Sequence, residues 1–453
     1  MVLRPGTSIL EHPEDNRRSC CFATAEADVE YRVMSHASSA SASLAARAAT
    51  VLHRCRELAG ITDVAGETVR LFLSPASSDA QTLIGGWIRQ AGLTAHCDDF
   101  GNLRATRRCP HDDAPTLVLF SHIDVAPNSS PFNGSLGVLL AIAAVEQLGA
   151  TSLPLHIEII AFSDEEGARF GVPSLSSLAV TGRLRAGHLE RADGNGISVA
   201  EAIRAFGLVP ERIPITCPLA PRTFAAVETR IEPGSVRGQS DSALAVVESI
   251  LGVSRLNLTF QGPCNHTGAA PMSWSGDARA AAAQWIVEVE HYAANYTQMT
   301  ATVDGVHTPP ATGDVAPGTV QATLEVRHPR DESRHAAVAH LLTKAEAAGA
   351  LRGTRVHATV QSEQRAVALD RDLTLKLHRA AERAGYDAQP IFSAAGHSAM
   401  ILAAAVPTAM LFLRSPVELS HVPGEDLRCQ DVEAALATLL NLLLHLHPHP
   451  KPS

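Results

Sequence analysis

At 453 residues the chain is longer than one hydrophobic core usually serves, so two domains are expected. Hydrophobic residues make up 45% and charged ones 19%, the balance of a globular protein. The formal charge of -10 gives no reason to expect nucleic acid as a partner, and no stretch approaches the ~20 apolar residues of a membrane span.

Residues 1–40 read as a polar N-terminal extension, with Glu11, Glu14 and Asp15 where an export signal would need an apolar core. Next come a helix over Ser43 to Gly60, closed by its glycine, and another over Ala80 to Leu93. Leu93 to Arg107 reads as strand, turn at Phe100 to Asn102, strand. The run from Pro115 to Asp124 is apolar until its end, as in a buried parallel strand. An apolar helix follows over Gly137 to Ala150, then a buried strand over Leu153 to Gly167 that ends in acids. Strand, helix, strand in this order argues for an α/β sheet with sites at the carboxyl ends of its strands.

The pattern changes near residue 250. Three segments, 254–264, 318–329 and 355–364, alternate like half-exposed strands, and helices over 276–296 and 333–349 separate them. This predicts a smaller α+β domain with an antiparallel sheet and two helices. Buried patterns resume with a helix over 372–385, an apolar strand over 406–415 and a last helix over 431–446. The expected organisation is an α/β domain of parallel-rich sheet flanked by helices, formed by 41–249 and 365–453, with the small domain of 250–364 inserted. The eight cysteines include no C-x-x-C pair, which reads as free thiols in a reducing cytoplasm.

Five motifs follow one another in order: "SHID" from Ser121, "FSDEEG" from Phe162, "NHTGAAPM" from Asn265, "SAAGHSAM" from Ser393 and "ELSHVPGE" from Glu418. Singly each is weak. Together they resemble the amidase branch of the dizinc aminoacylase-type peptidases, which comprises N-carbamoyl-L-amino-acid hydrolases, allantoate amidohydrolases and beta-ureidopropionases. The resemblance covers roughly residues 40 to 445. It implies metal-dependent hydrolysis of linear amides or ureides, a substrate that is a small carboxylated amino-acid-like molecule, and a homodimer formed through the inserted domain.

The same resemblance implies roles. Glu165 corresponds to the general base, and His122, Glu166 and His421 to metal ligands. Asn133 stands where the family has the aspartate that bridges both metals, and Arg230 where it has a ligand histidine. His266, Asp314 and Arg327 correspond to substrate-binding positions of the small domain, and Gly396 and His397 to the G-H of a further substrate-binding stretch. Ser275, Asp314 and Ser398 are further departures, from arginine, asparagine and aspartate respectively.

The departures at Asn133 and Arg230 bear on metal chemistry. A carboxylate bridges two cations with two charged oxygens, whereas an amide offers one neutral oxygen. Arginine is always protonated and has no lone pair to give. A guanidinium ~4 Å from a divalent ion would be repelled by roughly 8 kcal/mol at an effective dielectric of 20. The expectation is therefore at most one divalent metal, zinc or manganese, held by Glu166 and His421. Arg230 should pair with a carboxylate, Glu166 or Glu232 being nearest to hand. Glu228 and Glu232, two residues either side of Arg230, share its strand face and are the neighbours that could take over a ligand role. Three functions remain open: an enzyme with altered, metal-poor chemistry (mononuclear hydrolysis, condensation or acyl transfer), an inactive binder of a carboxylated metabolite, or a structural partner.

Overall fold

The computed structural model describes residues 44–127, 129–130, 132–231, 242–263, 276–309, 318–415 and 427–447. The expected extension over 1–40 lies outside them. Helix α1 covers 44–59. Helix α2 (Pro75–Gln90) begins five residues earlier than its apolar periodicity suggests, because Ser74 caps it: the Ser74 hydroxyl accepts the Ser77 N–H at 3.1 Å and Pro75 fills the first turn.

A hairpin of β1 (Thr94–Cys97) and β2 (Leu103–Arg107) follows. Its turn is fixed by Asp98, whose carboxylate accepts the N–H groups of Phe100 and Asn102 at 3.0 and 2.9 Å. Strands β3 (Thr116–His122) and β4 (His156–Phe162) are buried along their whole length, as the continuous apolar runs require. Helix α3 (Ser135–Leu148) joins them and is buried almost all round. Four short helices come next: α4 (Leu175–Val180), α5 (Ala186–Leu189), α6 (Val199–Ala205) and α7 (Ile213–Thr216). Sequence periodicity does not reveal them, since a helix of one or two turns spans too few residues to repeat a pattern.

Strands β5 (Thr223–Ile231) and β6 (Leu244–Ile250) complete the centre of the main sheet, with β11 (Val367–Ala368), β12 (Ala388–Ser393) and β13 (Thr408–Leu413) added from the end of the chain. The order is β1-β2-β4-β3-β5-β13-β6-β11, with β12 also on β6. The pairings β4-β3, β3-β5 and β5-β13 are parallel, so four neighbouring strands end on the same rim. Antiparallel pairs lie outside this centre. Helices α10 (Arg371–Arg383) and α12 (Cys429–His445) pack with α3 and the sheet into one apolar core, while α11 (Ser398–Leu402) lies against β13 on the other side.

Strands β7 (Gly252–Gln261), β8 (Thr300–His307), β9 (Thr319–His328) and β10 (Arg355–Gln364) form a separate antiparallel sheet in the order β10-β7-β9-β8. One face carries Leu256, Leu258 and Phe260 of β7 and Val320, Ala322, Leu324 and Val326 of β9. Helices α8 (Ala278–Ala294) and α9 (Asp331–Leu351) cover that face. The sequence pattern shows three of these strands; β8 escapes it because an irregularity between Asp304 and Val306 shifts its apolar alternation.

Trp285 of α8 is fully buried at the centre of the small core and donates its indole N–H to the Leu341 carbonyl at 2.9 Å. Trp285→Ala is expected to cost about 3–5 kcal/mol of the stability of this unit. Urea denaturation should show the loss as a lowered midpoint, and an unmoved midpoint would mean that the small core does not rest on this ring.

Candidate active site

The parallel centre of the main sheet places its carboxyl-terminal rim where the unusual polar residues fall. His122 ends β3, Glu165 and Glu166 follow β4, and Arg230 is the penultimate residue of β5. Asn133 comes from the turn before α3. That turn needs Gly134: its φ is +68°, and a Cβ there would stand 2.6 Å from the His122 ring. The glycine thus lets the start of α3 close onto the histidine.

Arg230 organises the site. Its guanidinium Nη1 donates to Glu165 Oε1, and Nη2 donates to Asn133 Oδ1 at 3.0 Å. Asn133 Nδ2 in turn donates to Glu166 Oε1 at 2.8 Å. His122 Nδ1 lies 3.0 Å from Asp124 Oδ1, an acceptor, so Nδ1 carries a proton, and Nε2 faces the two glutamates. That Nε2 is buried without a hydrogen-bond partner among the described residues, 3.7 Å from Glu165 Oε1 and 3.9 Å from Glu166 Oε1. The five residues His122, Asn133, Glu165, Glu166 and Arg230 thus meet. His421 and Glu232 lie outside the described residues.

One expectation is corrected. Arg230 pairs with Glu165, not Glu166, because the Asn133 amide already donates to Glu166. Burial lowers the Arg230 pKa to about 10, with Asp124 opposing, so the group stays charged at neutral pH.

The arrangement does not fit a two-metal centre. The one oxygen of Asn133 that could face a cation is taken by the guanidinium, and its nitrogen points at Glu166. Glu165, Glu228 and His397 bring potential ligand atoms within 4.8 Å of one another. Arg230 is bonded to Glu165 and stands 3.6 Å from Glu228 Oε1, beside that group. Glu228, one of the two neighbours named as possible replacement ligands, is thus among the candidate ligand residues and also stands beside the guanidinium.

The start of α11 closes the site from the other side. The Ser398 N–H donates to Glu165 Oε2 at 3.3 Å and the Ala399 N–H to Glu228 Oε2 at 3.1 Å. His397, just before them, has its Nε2 2.7 Å from the Ser393 hydroxyl. Burial, then Arg230 and His122, push the His397 pKa well below its usual range, which makes it a neutral imidazole.

Of the substrate-binding positions, Arg327 is described, on β9. Its Nε donates to Glu325 Oε1 at 2.7 Å and its Nη1 to the carbonyl of Ala394, so it reaches the stretch that leads to Gly396 and His397. His266 and Asp314 lie outside the described residues.

Two further residues belong to the site. Asp124 orients His122 and also accepts the N–H groups of Glu165 and Glu166, at 3.0 and 2.8 Å, which ties the ends of β3 and β4 together. Its place two residues after the histidine was the available signal. Glu228 is fully buried with one carboxylate oxygen unpartnered among the described residues. A charged residue in an otherwise apolar strand was its signal.

The profile of peptidase family M20/M25/M40 matches residues 118–445. The chain is 33% identical over 362 residues to the N-carbamoyl-L-amino acid amidohydrolase of Geobacillus stearothermophilus, covering 80% of this chain and 88% of that protein. It is 32% identical over 425 residues to the allantoate deiminase of Arabidopsis thaliana, covering 86% and 81%. A crystal structure of an amidase of the hydantoinase/carbamoylase family from Burkholderia multivorans superposes with a TM-score of 0.82 at 29% identity, covering 88% of this chain and 97% of that one. The fold also matches the YXEP protein of Bacillus subtilis, a dinuclear metal binding peptidase, with a TM-score of 0.56 at 14% identity, covering 88% and 98%. The chain belongs to peptidase family M20/M25/M40, in its hydantoinase/carbamoylase amidase branch.

Glu228 gives the site a pH signature. Burial pushes its carboxyl up from 4.5 to about 8, against the Ala399 amide that favours the ionised form. Between these two values the folded chain binds the proton and the unfolded chain does not, so stability falls as pH rises across that window. The full shift corresponds to at most about 5 kcal/mol. The Arg230 guanidinium 3.6 Å away reduces it by favouring the carboxylate. Urea denaturation from pH 5 to pH 8 should show the unaltered protein losing stability and Glu228→Gln losing clearly less. Parallel curves would mean that Glu228 ionises normally.

Proposed function

We propose that the protein acts on a carbon-nitrogen bond of an amino-acid-like amide or ureide with metal-poor chemistry: mononuclear hydrolysis, condensation or acyl transfer. Membership of the amidase branch supports the class of bond, and the relatives named above supply the analogy. The observation that carries the rest is Arg230 bonded to both Glu165 and Asn133 at the head of the parallel strands. A positioned base contributes ~10² to 10⁴ in rate. Hydrolysis of an unactivated amide demands far more, usually supplied by metal-activated water. Glu165, held by a guanidinium, is a weaker base still, because the cation stabilises its ionised form. Chemistry on a more reactive acyl group suits such a site better than ordinary dizinc hydrolysis.

In this reading a single divalent metal at most, zinc or manganese, would sit on Glu166 and His421. The ligand is a small carboxylated molecule. Arg327 is its clamp, since a guanidinium fork matches the two oxygens of a carboxylate, and His266, Asp314, Gly396 and His397 contribute further contacts. The reading keeps an inserted unit of 250–364 between 41–249 and 365–453, although Ile250 itself is the last residue of β6 in the main sheet. The inserted unit would also carry a homodimer contact. A cytoplasmic location is in keeping with Cys55, Cys97, Cys109, Cys217 and Cys429, all free thiols. A second reading, an inactive member that binds a carboxylated metabolite or serves as a structural partner, draws on the same Arg230–Glu165 pair, which neutralises the residue that catalysis would use.

Restoring the family residues tests the proposal. Asn133→Asp combined with Arg230→His should raise the zinc content of purified protein from one or none toward two per chain. Hydrolysis of N-carbamoyl-L-amino acids should rise with it. Unaltered protein that already carries two tightly held zinc ions would overturn the metal-poor reading.

A further inference from the structure

The end of α12 carries a pair of imidazoles that the cleft does not use. The sequence there is His445-Leu446-His447-Pro448, and His449 repeats the spacing once more. Short histidine-rich tracts bind metal ions when their imidazoles can meet on one side of the chain.

The structure puts His445 and His447 on one side. Leu446, the C-cap of α12, leaves the helix in an extended conformation, with φ −82° and ψ 105°. Its side chain is 2% exposed and belongs to the main core. Successive residues of an extended segment point to opposite sides, so a buried Leu446 turns both flanking histidines outward. Both are exposed. Pro448 favours the same geometry, because the residue before a proline, here His447, is pushed out of the helical region. Two residues of extended chain span ~6.6 Å. Two nitrogens bound at ~2.1 Å to one tetrahedral ion stand ~3.4 Å apart, so imidazoles projecting from such points converge by side-chain rotation alone.

His445 is also prepared at its other nitrogen. Nδ1 lies 2.8 Å from the Asn441 carbonyl, which can only accept, so Nδ1 carries a proton. In the neutral ring the lone pair is then on Nε2. A backbone carbonyl on the second nitrogen is the usual outer support of a metal-bound histidine. Among the described residues neither imidazole makes an ion pair that would compete. The pair is also remote from the Arg230 cluster. Arg414, next after β13, donates to Asp431 Oδ1 at 2.8 Å and fixes the start of α12 beside the end of that strand. The helix is 17 residues long, so His445 stands ~25 Å from that start.

We propose that His445 and His447 form a metal site outside the cleft, for a divalent late transition ion of the copper, nickel and zinc class. Imidazole suits these ions, whereas calcium and magnesium require oxygen ligands that the pair does not offer. Solvent completes the coordination, so the ion exchanges readily. The proposal is independent of what the cleft binds.

The test is calorimetric titration of the full chain, stripped with a chelator, with nickel chloride. The unaltered protein should bind one nickel ion per chain more than His445→Ala/His447→Ala. In the pair the second imidazole binds an ion already held by the first, so each single substitution should weaken that ion by ~100-fold. His291→Ala, which removes an exposed histidine on α8 of the other unit, should leave the isotherm unchanged. Magnesium chloride should give the same isotherm for the unaltered protein and the double variant. Equal urea midpoints for these two would show that the lost ion does not reflect lost folding, as expected for exposed side chains. The double variant keeps His449 and the whole cleft, so a nickel stoichiometry equal to that of the unaltered protein would overturn the proposal. Single variants that bind nickel as tightly as the unaltered protein would overturn it too.

Discussion

A guanidinium buried among carboxylates governs this molecule. Arg230 is enclosed at the end of β5, bonded to Glu165 and Asn133 and 3.6 Å from Glu228. An isolated buried charge would be expensive, and each of these neighbours reduces that expense. The arrangement also binds its neighbours in turn. Glu165 is held by Arg230 and by the start of α11, Glu166 by Asn133, and both of their N–H groups by Asp124. Removing the arginine would leave the buried Glu165 carboxylate without the cation bonded to it. A guanidinium supplies positive charge but no lone pair, so Arg230 itself offers no ligand atom to a metal.

The sheet makes this convergence possible. Parallel neighbours β4, β3, β5 and β13 deliver their ends to one rim, so residues more than a hundred positions apart meet without long loops. The second sheet is joined through Leu251 at one strand and touches the first through Arg327. That leaves a space between them lined by both.

Much of the framework was legible beforehand. The uninterrupted apolar runs of β3, β4 and β13 read as buried parallel strands, and the alternating runs of β7, β9 and β10 as half-covered antiparallel ones, because a strand's burial on one face or two is written in its periodicity. Elements with weak periodicity were missed. Strand β5 was read only around Arg230, because Glu228 and Arg230 interrupt its apolar run, and β8 has its alternation shifted after Asp304. In β5 the reason is chemical: a strand that carries site residues inward sacrifices the pattern by which strands are recognised.

The sequence by itself determined the family, the order of its motifs and the two positions, Asn133 and Arg230, at which a neutral amide and a fixed cation replace a bridging acid and a donor. Those follow from residue type alone, since arginine cannot donate a lone pair in any fold. Only the tertiary structure decided which carboxylate takes the guanidinium. Glu166 and Glu165 are adjacent in the chain and equal in charge. The choice depends on the directions in which the turn after β4 points them and on the Asn133 amide, which reaches Glu166 from a different element. The same holds for Glu325, whose sharing between Arg255 and Arg327 depends on the register of β7 against β9, a property of pairing that no single segment contains.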